Sequence, residues 1–186
     1  RACYILKKKP LPMYHRTIPR FILRKNSYTM NEKDISIQDD FLTKEKFEEL
    51  NAIVTGLYFP WHFSEVLVNE DEETDAGLLL HSIYENRIPR SEFYDTFLPI
   101  VEALNAIVLF RIRINLTFRL PVAHFCDFHG DMQTITALAQ QSQWTTSILY
   151  MGTNNGYTEL ENGQRIESVA NRLLSFPAST KHRYGT

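Results

Sequence analysis

Residues 109–119 read LFRIRINLTFR, and the alternation within them decides the architecture. Phe110, Ile112, Ile114, Leu116 and Phe118 share one side of an extended chain, and Arg111, Arg113, Asn115 and Thr117 share the other. Successive side chains of a strand point to opposite faces, so period two over a run this long predicts a half-buried β-strand. Further along, TTSILYM at 145–151 and NRLLSF at 171–176 read as strands, the latter ended by Pro177. Asn155-Gly156 and Asn162-Gly163 are hairpin signals, because both residue types tolerate positive φ. The second pair should join YTEL (157–160) to QRIESV (164–169).

Upstream of this run the period is helical. Thr43 is a candidate N-cap, Glu45 falls in the first turn, and Phe47, Leu50, Val54 and Leu57 form one stripe, with Gly56 as a C-terminal signal. A second helix is expected from about Ser91, with Phe93, Phe97, Ile100, Val101, Leu104 and Val108 at helical spacing. Between them lie the aromatic cluster FPWHF (59–63) and the acidic run NEDEETD (69–75), which reads as a solvated loop. Helices first and short antiparallel strands afterwards predict an α+β domain with helices packed against a barrel or jelly roll.

The 186 residues suffice for one domain with a sizeable core, and a net charge of −2 leaves no overall footprint for nucleic acid or an anionic membrane. Two cysteines, Cys3 and Cys126, are too few for a disulfide framework. No apolar run reaches a membrane span and no secretory core opens the chain, so a soluble, cytoplasmic protein is expected. Residues 1–29 hold eight Lys or Arg and no Asp or Glu. Such a block reads either as an arm for a polyanion or as an extension with the true start at Met30. The second reading is adopted: residues 1–33 are expected to be a disordered or non-native basic extension, and residues 34–186 the domain.

Within the β-rich half, FHGDM (128–132) places His129 and Asp131 two apart. On extended backbone both face one way, whereas in a helix they diverge by about 200°. His182 lies 53 residues beyond His129 and follows the strand at 171–176, making it the natural third ligand. Two His and one carboxylate with open positions is the donor set of non-haem Fe(II) oxygenases. Rivals stand in the same stretch. Asp127 shares strand parity with His129, His124 lies three residues from Asp127, and Cys126 reads best as a small buried hydrophobe.

Taken together, DDFLTKEKFEEL, FPWHF, LFRIRINL, FHGDM and the long segment from Thr145 to Arg183 resemble the 2-oxoglutarate- and Fe(II)-dependent oxygenases, in particular the prolyl-4-hydroxylase-like group of phage and bacterial type. The resemblance spans roughly residues 34–186 and implies a double-stranded β-helix (a jelly roll) braced by N-terminal helices. It implies His129, Asp131 and His182 as Fe(II) ligands, 2-oxoglutarate and O2 as co-substrates, and ascorbate as reductant. It also implies hydroxylation of an unidentified protein or small-molecule substrate, with peptidyl proline one candidate. Tyr150 would contact 2-oxoglutarate, and Trp61 would border the substrate entrance. In one respect the chain departs from that pattern. The family anchors 2-oxoglutarate with an Arg or Lys on a closing strand about ten residues past the distal His, and this sequence stops four residues after His182. A missing closing strand, an open sheet edge and weak 2-oxoglutarate binding are therefore expected. Lys181 and Arg183 flank an inward residue and should point outward. Two other functions compete: a non-catalytic jelly-roll binding module, and a zinc hydrolase, which would need Glu159 or Glu161 as base.

Overall fold

The computed structural model describes residues 16–25, 34–64, 78–118, 125–132, 141 and 143–185. These residues form a β-rich α+β fold in which every ladder between strands is antiparallel. The acidic run at 69–75 lies outside the described residues.

The alternating stretch becomes β6 (Ala106–Thr117), whose Ile112, Ile114 and Leu116 are buried. Phe118 falls past its end and is exposed. The polar side of β6 is not a solvated face; it looks into the protein, as described below.

The expectation that residues 1–33 stand outside the fold fails for residues 16–25. They form β1 (Arg16–Lys25), paired with β6 on one side and with β7 (Thr145–Leu149) on the other. Phe21, Ile22 and Leu23 are completely buried there. A composition window averages the basic residues and hides the apolar triplet between them, and central strands are specified by apolar runs. Pro19 is tolerated because the β7 ladder begins only at Arg20. Residues 1–15 and 26–33 lie outside the described residues.

The large sheet runs β2 (Ser36–Gln38), β10 (Leu173–Pro177), β7, β1, β6, β4 (Leu78–Glu85), β3 (His62–Ser64), with β5 (Ile88–Pro89) paired to β4. One face carries the helices. In α1 (Lys44–Val54) the Thr43 Oγ1 accepts the Lys46 N–H, and Leu50 and Val54 are buried. Leu57 lies beyond the helix and is almost wholly exposed, so the apolar stripe is one residue shorter than expected. Gly56 does follow the C-cap Thr55 directly, at the C-terminal position expected, but without a left-handed φ. In α2 (Tyr94–Ala103) Phe97 and Ile100 are buried, and Leu104 continues the stripe. Val108 belongs to β6 instead, because Asn105 adopts a positive φ of 51° and ends the helical path. These helical residues pack on Phe21, Leu23, Ile112, Ile114, Leu149 and Leu173 of the sheet.

The opposite face of the large sheet is covered by a three-stranded sheet ordered β11 (His182–Gly185), β8 (Tyr157–Leu160), β9 (Arg165–Glu167). Ile148, Tyr150, Leu174 and Phe176 from the large sheet pack there with Leu160 and Ile166 from the small one. The β8–β9 hairpin turns through Gly163 at φ 84°, as the second Asn-Gly signal predicts. The first does not close a hairpin. β7 pairs with β1 and β10, and Asn154 Oδ1 accepts the Gly156 N–H in a turn that carries the chain from one sheet to the other. The open edge expected beside the last strand is also not found there: β11 has β8 on one side and isolated bridges to Phe125 and His129 on the other. Among the described residues, no helix is long and apolar enough to cross a membrane.

Candidate metal centre

His129 and His182 are brought face to face by a backbone bridge. The His129 N–H donates to the His182 carbonyl (3.0 Å) and the His182 N–H to the His129 carbonyl (2.9 Å). Directly opposed residues of an antiparallel pair put their side chains on the same side, and the ring centroids lie 4.7 Å apart. Asp131, two residues on from His129, turns to the same point. One ligand atom from each of the three residues lies within 4.8 Å of the others, so the cluster could hold a metal ion. It sits between the two sheets, with Phe176 edge-on to the His182 ring at 4.9 Å.

Both imidazoles are held at Nδ1 by a backbone carbonyl. His129 Nδ1 donates to the Asp127 carbonyl (3.0 Å), and His182 Nδ1 faces the Thr180 carbonyl (3.4 Å). A carbonyl accepts only, so each Nδ1 carries the proton, and each neutral ring keeps a bare Nε2. Hydrogen bonds of this kind orient metal-binding histidines. Burial lowers the His182 pKa well below its ordinary value; the charges of Arg20 and His129 add to this, and Asp131 opposes it. Burial, then Arg20, lowers that of His129 as well, against Asp131 and the Asp127 carbonyl. Both rings are neutral near pH 7. Burial works to raise the Asp131 pKa, but the guanidinium charges of Arg20 and Arg111 outweigh it, with the two imidazoles adding to the effect once acid protonates them, and hold the carboxyl well below the carboxylate range.

The two oxygens of Asp131 do different things. Oδ1 accepts from Arg20 Nη1 and Arg111 Nη2, both at 3.0 Å. Oδ2 accepts the Thr146 hydroxyl (2.9 Å) and lies 3.7 Å from His182 Nε2. That last contact joins two lone-pair-bearing atoms. His182 Nε2 is buried and has no hydrogen-bond partner, and a buried acceptor left so is costly. A cation between Nε2 and Oδ2 removes the cost, and neutral imidazole with ionised carboxylate is the required ligand chemistry. The donor set fits a divalent metal.

The other candidates fall elsewhere. Tyr150 is fully buried on the same side of the large sheet as Thr146, and its hydroxyl donates to Thr158 Oγ1 (2.7 Å). Trp61 packs on Phe59 (5.0 Å) within the helix-side core, so it does not border the cluster, which lies across the sheet. Asp127 contributes its carbonyl rather than its carboxylate. Cys126 is buried and accepts the Tyr184 N–H at 3.4 Å, outside the three-residue group. His124 lies outside the described residues. Arg183 pairs with Glu159 at 2.8 Å and Lys181 is exposed, so neither faces the cluster. Arg165 pairs with Glu159 and Arg172 with Asp39.

Sequence reasoning missed Arg20, Arg111 and Thr146. The alternation in 109–119 did contain a signal for Arg111, since it put four polar residues on one side of a strand. Arg20 gave none, because its meeting with Asp131 bridges 111 residues. No protein-family model matches this chain, and neither does any curated protein or solved structure.

Proposed function

We propose that this chain is an Fe(II)- and 2-oxoglutarate-dependent dioxygenase of double-stranded β-helix type, hydroxylating a protein or small-molecule substrate. The observation that carries this reading is the bare His182 Nε2 facing Asp131 Oδ2 at 3.7 Å, with His129 beside both. These three residues would hold a divalent ion while leaving part of its coordination open to small molecules, which would suit oxygen chemistry better than a closed structural site does. When bound, Fe(II) supplies the redox chemistry that couples 2-oxoglutarate decarboxylation to C–H hydroxylation.

The residues of this chain do the rest. The carbonyls of Asp127 and Thr180 fix both imidazole tautomers. Thr146 and the arginines orient the carboxylate and keep it ionised. Ile148 and Phe176, both fully buried, exclude water from the neighbouring interior, which strengthens every electrostatic contact within it. A zinc hydrolase is disfavoured: Glu159 is committed to Arg183 and Arg165 on the side of β8 away from His182, and Glu161 accepts the Lys181 N–H.

One observation favours a second reading, the non-catalytic module. Asp131 is already satisfied by two guanidinium groups and a hydroxyl, as in a buried structural ion-pair network. Titration with Mn(II), followed by electron paramagnetic resonance, separates the two. The enzyme reading expects one tightly held ion in the wild type and none in His182→Ala, together with succinate release from 2-oxoglutarate under Fe(II) and O2. A folded wild-type protein that takes up no Mn(II) overturns it.

A further inference from the structure

The segment that carries His129 and Asp131 is not part of a regular ladder. It meets β11 at two isolated bridges, Phe125 with Gly185 and His129 with His182. Between those bridges it advances four residues, from 125 to 129, while β11 advances three, from 185 to 182. One residue is therefore extra, and the segment holds a β-bulge between its two attachments. Bulges bend a strand and re-aim its side chains, and they recur beside functional sites. At this one, Asp127 offers its carbonyl to His129 Nδ1 (3.0 Å), while Asp131 supplies the carboxylate of the cluster.

A brace for the bulge lies on its outer side. On a regular strand, residues three apart point to opposite faces. Phe125 and Phe128 instead both lie against the Arg183 guanidinium, whose Cζ is 5.2 Å and 4.5 Å from the two ring centroids. Both distances are within cation–π range. With 42% and 37% of the two residues exposed, burial alone does little to hold them. Arg183 is itself fixed from behind. Glu159, directly across on β8, accepts its Nε–H at 2.9 Å and lies 2.8 Å from its Nη2. A weaker strap crosses the same stretch, where Cys126 Sγ accepts the Tyr184 N–H at 3.4 Å. Because Arg183 follows His182 directly, adjacent residues of β11 present a candidate ligand inward and this brace outward.

We infer that Arg183 is a positioning residue for the metal cluster: by stacking on Phe125 and Phe128 it locks the bulge, and the locked bulge sets His129 at its spacing from His182 and Asp131. The inference rests on the metal reading above. Arg183 faces away from the cluster, toward Glu159, so its effect passes through the backbone of residues 125–129. Without the brace the extra residue is free to move along the segment, and a one-residue slip turns His129 to the opposite face.

The test is Mn(II) affinity, read by electron paramagnetic resonance, with the urea midpoint of the metal-free protein measured beside it. Arg183→Gln should weaken Mn(II) binding about tenfold, the lower end of what losing a residue that orients a metal ligand costs. Phe128→Leu keeps bulk and removes the ring; it should weaken binding similarly and covers the case in which Arg183→Gln does not fold. Arg183→Lys retains a cation and should recover part of the loss. The double variant, Arg183→Gln with Phe128→Leu, should lose little more than either single one, because both remove the same contact. In the metal-free protein, the nuclear magnetic resonance signal of the His129 Nδ1–H should shift in Arg183→Gln. The control is Arg165→Gln. Arg165 also pairs with Glu159 and stacks on Tyr157 at 4.6 Å, but it lies on β9, separated from β11 by β8. As an exposed pair it should change Mn(II) affinity by less than about twofold. A wild type that binds Mn(II) and an Arg183→Gln that binds it equally well overturn the positioning role alone. So does a loss that appears equally in Arg165→Gln or only follows the urea midpoint. A wild type that binds no Mn(II) overturns the metal reading, and this inference with it.

Discussion

Arg20 and Phe21 are adjacent on β1, yet they serve the two faces of the large sheet in opposite ways. Phe21 meets Phe97 of α2 with ring centroids 6.5 Å apart, inside a core of aliphatic and aromatic side chains. Arg20 reaches Asp131 on the side covered by the small sheet, among polar atoms of which several have no partner. The helix face is closed and apolar, as a surface built for stability should be. The inner face keeps charge and unmet hydrogen-bonding capacity under cover, a costly arrangement that proteins retain mainly where they bind or react. The helix-side His81 is instructive. It too is buried and lacks a partner at Nδ1, but it is held by Ser91 at 2.8 Å among aromatic rings.

The sharpest way to break this contrast is on the apolar side. Phe97→Ala removes a fully buried ring and should cost about 3–5 kcal/mol in denaturant unfolding, while Mn(II) affinity of the folded fraction stays unchanged. A loss of metal binding of similar size would mean that the faces are not separable. On the inner face, Asp131→Asn leaves two covered guanidinium groups without a counter-charge. It should cost about 3 kcal/mol and eliminate metal binding, so one substitution moves both observables.

Acid should act on the inner face first. In the metal-free protein both histidines of the cluster have folded pKa values below the ordinary 6.5. The unfolded chain therefore takes up their protons first, and stability should decline as pH falls below about 6.5. The Asp131 pKa is likewise depressed from 3.8, so its contribution is complete above that value and is lost as pH falls further. Urea midpoints measured from pH 8 to pH 3 should show both declines, and the decline below pH 6.5 should shrink in His182→Ala. Equal slopes in the two proteins would assign that decline elsewhere.

Smaller effects refine the comparison. Thr146→Val keeps shape but removes the hydroxyl that donates to Asp131 Oδ2, and should cost about 1.5 kcal/mol with a measurable drop in Mn(II) affinity. Thr43→Ala loses a long capping contact of 3.5 Å on the helix side. It should cost only about 0.5 kcal/mol, with the site untouched.

Much of this was legible from residue order. Alternation marked β6, the Thr43 cap and the following apolar stripe marked α1, and Asn162-Gly163 marked the β8–β9 hairpin. The two-residue spacing of His129 and Asp131 put both on one face wherever the backbone is extended there. These are local properties, set by side-chain direction and turn chemistry within a few residues. Tertiary structure alone decided that Arg16–Lys25 is a central strand, that the arginine side of β6 looks inward, and that Arg20 meets Asp131 across 111 residues. Those outcomes depend on which strand edges and faces find partners once the whole sheet forms. No short stretch carries that information, because burial belongs to the assembled layers and not to the segment.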